Sequence, residues 1–209
     1  MRRGLIRTTL SILVAVLPML VGVGSAAAQQ LNKYPGSIVD IKSTTVTIAN
    51  TVVQTSMYST TIPPRYFKVN AQPLLGGAAL HLVLMGTITT NQGVGSVGNI
   101  NVGCNYGGTT ASIALVNAQA PQASLVAQPF NMDVWVRAQG TSTASEFLMG
   151  RLEIAPTQGL NASTSTYNAA VTGTTSLTAN QTLACAWGWG SAATTNSLTI
   201  NSAILSVGE

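Results

Sequence analysis

From Gln29 onward apolar and polar side chains alternate residue by residue. The pattern is plain in "NINVGCNY" (99–106) and "FNMDVWVRA" (130–138), and "ALHLVLMGTITT" (79–90), apolar on both faces in its first half, reads as a further strand. A period of two places successive side chains on opposite faces of an extended strand, whereas a helix needs apolar residues at i, i+3, i+4 and i+7. The second pattern is not found in this region. The alternation breaks about every ten residues at Gly, Pro, Asn or Ser, where strands turn. Further strands are expected at "TTVTIA" (44–49), "TVVQTSMYSTTI" (51–62), "TASIALV" (110–116), "SEFLMGRLEIA" (145–155), "TLACAWGW" (182–189) and "SLTINSAILSV" (197–207). About eight or nine short strands without helices predict an all-β, two-sheet antiparallel β-sandwich of the jelly-roll type.

Composition agrees. Charged residues are only 7% of the chain, against about 25% in an ordinary soluble domain, while 46% are hydrophobic and 5% aromatic. There is enough Val, Ile and Leu to build a core, and the remainder is largely Thr, Ser, Asn, Gln and Gly, which suit strands and turns. "YGGT" (106–109) reads as a hairpin tip, because paired glycines both tolerate positive φ. The stretch 157–180 is poor in bulky apolar residues and reads as a long exposed loop with at most one weak strand.

The N-terminus follows a different logic. Arg2, Arg3 and Arg7 precede the apolar "LSILVAVLPMLVGVG", and "SAAAQQ" ends it with small residues. That order is a secretory signal peptide, residues 1–28, with cleavage expected after Ala28; Pro18 and the A-x-A pattern favour cleavage over a retained anchor. Residues 29–48 then read as an N-terminal arm and 49–209 as the sandwich, with no membrane association after cleavage. The full chain carries +4, from nine basic and five acidic side chains. Without the three signal arginines it carries +1, six basic against five acidic, so no basic patch suits a nucleic-acid backbone.

Export also bears on the two cysteines. Cys104 shares a face with Ile100, Val102 and Tyr106, and Cys185 with Leu183, Trp187 and Trp189. A core disulfide between two strands is expected, the alternative being two buried thiols. The tryptophans on that face read as core residues before glycan platforms.

The apparent sites of chemistry weaken on inspection. Gly93, Gly95 and Gly98 spell G-x-G-x-x-G, but a strand follows where a dinucleotide loop needs a helix, and the expected acid about 20 positions on is missing. The segment reads as a tip between two antiparallel strands. His81 is the single histidine, and no G-x-S-x-G elbow accompanies it. The acids Asp133, Glu146 and Glu153 lie near Arg137 and Arg151, so a cross-strand pair such as Asp133 with Arg151 accounts for them without glycosidase chemistry. Asn161-Ala-Ser and Asn180-Gln-Thr match the glycosylation acceptor. No catalytic residue, metal site or cofactor is expected.

The wet side of the sheets carries more information. If Leu80, Leu82 and Leu84 face the core, then His81, Val83 and Met85 face out; by the same parity Trp135, Phe147 and Met149 face out as well. A sheet apolar on both sides packs against another copy, a partner, or its own arm and loops. Oligomerisation through these six residues is the leading expectation.

The motif order "ANTVVQTSMYSTTIPP" (49–64), "LHLVLMGTITTNQG" (80–93), "INVGCNYGGTT" (100–110) resembles jelly-roll structural proteins of tailed-phage virions. "FNMDVWVRAQGT", "FLMGRLEI" and the closing "TLACAWGWGSAATTNSLTINSAILSV" continue the resemblance over roughly 49–207. It implies a non-enzymatic capsid, decoration or fibre subunit, often a trimer. Gln54 stands where such proteins usually carry an acid. The signal peptide departs further, since those virions assemble in the cytoplasm. An exported surface or pilus-like filament subunit, and a secreted carbohydrate-binding or adhesive module, are therefore the alternatives. The expected location is extracellular or in a virion.

Overall fold

A computed structural model describes residues 37–49, 51–69, 72–73, 79–90, 99–108, 111–119, 125–139, 144–155, 164–190 and 196–208. The signal segment 1–28, residues 29–36, the glycine stretch 93–98 and the acceptor at 161–163 lie outside them. The strands are β1 (Ile38–Lys42), β2 (Val46–Ala49), β3 (Thr55–Ile62), β4 (Lys68–Val69), β5 (Gln72–Pro73), β6 (Ala79–Thr89) and β7 (Ile100–Tyr106). They continue with β8 (Ala111–Gln119), β9 (Gln128–Ala138), β10 (Glu146–Ile154), β11 (Ser165–Gly173), β12 (Gln181–Trp189) and β13 (Ser197–Gly208). One 3-10 turn, Pro64–Phe67, stands among them.

Two antiparallel sheets form the sandwich. The larger runs β1-β13-β6-β9-β10-β11, with β2 also on β13; the smaller runs β3-β12-β7-β8; β4 and β5 pair separately. The pairing goes from the outside in: β2 with β13, β3 with β12, β6 with β9, β7 with β8. That is one long hairpin of eight strands rolled on itself, the jelly-roll pattern the alternation led us to expect. The β10–β11 hairpin is inserted between β9 and β12 and widens the larger sheet by two strands.

Each strand buries the face its alternation marked. Leu80, Leu82 and Leu84 of β6 and Met132, Val134 and Val136 of β9 are fully buried. From the other sheet come Ile100, Val102, Cys104 and Tyr106 of β7 and Leu183, Cys185, Trp187 and Trp189 of β12. Trp187 reaches across to Phe130 of β9 (6.4 Å between ring centres) and meets Trp189 edge-on at 5.4 Å. The cysteines lie directly opposite each other on β7 and β12 and form the Cys104–Cys185 disulfide.

Four readings change. Residues 51–54 are not strand: the Thr51 hydroxyl accepts the Val53 N–H at 3.2 Å, a local turn that delays β3 to Thr55. Within residues 29–48, read as an arm, β1 is paired with β13, while β2 falls on the strand expected at 44–49 and joins β13 as well. Within 157–180, β11 is a full nine-residue strand, and Thr175 and Leu177 beyond it are buried. β6 and β7, which flank the glycine stretch in sequence, belong to different sheets, so they are not the paired strands of one hairpin. The other glycine expectation holds, with Gly107 and Gly108 at φ of 68° and 78° after β7.

Two buried phenols give the fold an alkaline limit. Burial pushes Tyr58 well above the ordinary tyrosine value, aided by its hydrogen bond to the Asp40 carboxylate (2.8 Å). Burial, then the nearby Glu146 charge, does the same to Tyr106. A raised phenol favours the fold in full below the unfolded value of about 10, and that contribution is lost as pH rises further, because unfolded phenols ionise first. The urea midpoint should therefore fall between about pH 9 and pH 11, with the share of tyrosinate absorbance due to these two phenols appearing only on unfolding. An unchanged midpoint would show that neither phenol is protected.

Candidate functional site

The outer face of the larger sheet brings together all six residues singled out from the sequence. Strands β6, β9 and β10 are neighbours, and register sets His81 opposite Trp135 and Trp135 opposite Met149, a row across three strands. Val83 lies opposite Asp133, Met85 opposite Asn131, and Phe147 opposite Arg137. Met85 and Met149 are exposed, and the other four are half-buried. The apolar strip extends further than the alternation suggested: Ile204 of β13 sits beside Val83, and Ile41 of β1, 54% exposed, sits beside Ile204. The parity of "SAILSV" carried that signal for Ile204.

The rings on this face are already engaged. The His81 imidazole stacks on the Trp135 indole, 4.7 Å between centres and 4° from parallel. One face of that indole is thereby covered. His81 Nε2 also lies 2.8 Å from Asp133 Oδ1, and Asn131 donates to the other Asp133 oxygen at 2.7 Å. These contacts hold the imidazole against the indole and tie it to the β9 carboxylate.

The charges are arranged differently from the expected pair. Asp133 and Arg151 do face each other across β9 and β10. Yet Asp133 is taken by His81 and Asn131, and Arg151 turns along its own strand to Glu153. Cross-strand opposition permits a pair but does not require one: His81 reaches Asp133 diagonally, and Arg151 pairs within its own strand. Glu146 was grouped with these charges and is instead fully buried, its Oε1 accepting the Thr175 N–H at 3.0 Å. It has the same parity as Leu148 and Leu152, so the alternation did mark it as inward-facing.

For nucleophilic chemistry the face is poorly equipped. Ser206 lies opposite His81 on β13, but its hydroxyl donates to the His81 backbone carbonyl at 3.4 Å. Amides in the middle of a sheet are spent on the ladder and leave none to stabilise an oxyanion. Trp187 and Trp189, the other two tryptophans, have no exposed surface.

No protein-family model matches the chain, and no curated protein matches it in sequence. Among solved structures it is similar to the CBM2 module of the Lactobacillus casei BL23 phage J-1 evolved Dit, at 15% identity and a TM-score of 0.33, covering 72% of this chain and 69% of that one. It is similar also to the metal-free lectin I-B4 of Griffonia simplicifolia, at 8% identity and a TM-score of 0.37, covering 84% and 98%. A third is a chain of the infectious bursal disease virus Gx strain, at 13% identity and a TM-score of 0.24, covering 83% of this chain and 47% of that one.

Proposed function

We propose that this chain is a non-enzymatic structural subunit of a virion or extracellular assembly, which self-associates through the outer face of its larger sheet. The observation that carries the reading is the continuous strip of Ile41, Ile204, Val83, Trp135, Met149 and Phe147 on a face that water would otherwise wet. Removing such surface from water contributes about 25 cal/mol per Å² before association costs. Several polar groups on this face already have partners, His81 and Asn131 on Asp133 and Arg151 on Glu153, so covering them strands few hydrogen bonds.

The adhesive alternative needs an indole with a free face for a sugar ring. Two tryptophans are enclosed and the third, half-buried, has one face taken by His81, which leaves at most one indole face for a sugar and favours the assembly reading. The phage-protein resemblance points to three copies.

Light scattering on residues 29–209 should give a mass above the monomer. Val83→Glu with Met149→Glu puts carboxylates in the centre of the contact and should weaken association at least about 100-fold, with an unchanged circular dichroism spectrum. A monomeric parent protein, or a double variant of unaltered mass, would remove the face from consideration.

A further inference from the structure

A jelly roll leaves strand edges open, and unpaired N–H and C=O groups at an edge recruit other chains unless something blocks them. Among the described residues this sandwich has four edges, and three carry a block. On one side of the larger sheet the edge is cut into short pieces, β1 and β2, with a register shift between Ile38 and Asp40 and the charges of Asp40 and Lys42. On the smaller sheet, Lys42 Nζ donates to the β3 carbonyl of Ser59 at 2.8 Å, and the β3–β12 pairing shifts register at Cys185. The opposite edge, β8, shifts register twice against β7. The fourth edge has none of these devices. β11 pairs with β10 over nine consecutive residues without a shift, and its sequence "STYNAAVTG" contains no charge and no proline.

The sequence of β11 also matches itself in reverse. Laid antiparallel about Ala169, Thr166 faces Thr172, Tyr167 faces Val171 and Asn168 faces Ala170. Thr–Thr and aromatic–β-branched pairs are among the favourable cross-strand combinations. Tyr167, Ala169 and Val171 are only partly buried against the core, so a neighbouring strand would complete their burial. Thr166, Asn168, Ala170 and Thr172 stand on the outer side, and Ala170 adjoins Met149.

We propose that β11 pairs with β11 of a second copy, antiparallel about a two-fold axis at Ala169, joining two larger sheets into one. The identity of the partner rests on the self-association reading; the contact itself is separate from the apolar face. Face and edge contacts together let the assembly grow beyond a closed dimer, as a shell or filament subunit must.

The test uses the register. In the two-fold pairing, Thr166→Lys with Thr172→Lys sets like charges opposite each other twice, whereas Thr166→Lys with Thr172→Glu sets opposite charges there. Both positions are exposed, so both double variants should fold, checked by circular dichroism. Sedimentation and light scattering should show the Lys/Lys protein losing one level of assembly, with at least about a tenfold weaker association, and the Lys/Glu protein keeping the parent mass. The same pair placed on the Val83→Glu, Met149→Glu background separates the two contacts. If the face variant alone abolishes association and the edge variants change nothing on the parent background, the edge proposal fails and the face reading stands. If the edge variants alone lower the mass, the face reading fails and the edge stands. Equal loss in the Lys/Lys and Lys/Glu proteins overturns the register proposed.

Discussion

Replacing Cys104 and Cys185 together by alanine should lower the free energy of unfolding by about 4.5 kcal/mol, the loop-entropy value for a bridge of this span. The bridge joins residues separated by 81 positions. Between them lie β8, an edge of the smaller sheet, and β9, β10 and β11, three of the seven strands of the larger sheet. In the unfolded chain the bridge forbids most separations of β7 from β12; in the fold it costs little, because register already sets the two cysteines opposite each other. Domains of this kind are stable by about 5–15 kcal/mol, so the loss would remove a third or more of the total. Urea unfolding of the parent and double-alanine proteins measures it. A difference under about 1 kcal/mol would mean that the bridge restricts little of the unfolded ensemble.

Trp187→Ala should be nearly as costly, about 3–5 kcal/mol, the range for truncating a large aromatic in a core that cannot collapse around the gap. Trp187 has no exposed surface and spans the sandwich, touching Trp189 of its own sheet and Phe130 of the other. At about 2–4 °C per kcal/mol for a chain of this size, the melting temperature should fall by about 10 °C. Trp187→Phe should cost much less, because it keeps most of the ring and deletes an indole N–H that has no hydrogen-bond partner among the described residues. Trp135→Ala should instead leave the melting temperature of a dissociated protomer nearly unchanged and weaken association. If the two tryptophans exchanged these behaviours, the assignment of core and outer face would be wrong.

Those opposite expectations for two tryptophans were already legible in the sequence. Trp187 shares the parity of Cys185, and Trp135 is out of step with Val134 and Val136, so a period-two reading places one inside and the other outside. The same reading placed Leu80, Leu82 and Leu84 inward, His81, Val83 and Met85 outward, and the cysteines on facing core strands. β11 reads as loop because its inward residues Tyr167, Ala169 and Val171 are few and its other positions small and polar, so the contrast between its faces is thin. An edge strand half-buried on one side needs little more.

The site was legible as a set of residues and not as a set of contacts. His81 was available as a partner for Asp133 only once β6 lay beside β9, although the two residues are 52 positions apart. Until then Arg151, on the strand that follows β9, was the nearer candidate. The buried carboxyl of Glu146 likewise makes sense only with Thr175 folded over it, since an inward-facing acid needs a donor that another segment supplies.

By itself, then, the sequence determined that this protein is built of strands and which side of each strand is apolar. Both follow from covalent geometry, which flips the side chain at every residue regardless of what lies nearby. Which strands are neighbours, which charges pair, and which described strands lie at the sheet edges follow only from the tertiary fold. Those depend on segments far apart in the chain meeting at a fixed register, and only the rolled sandwich supplies it.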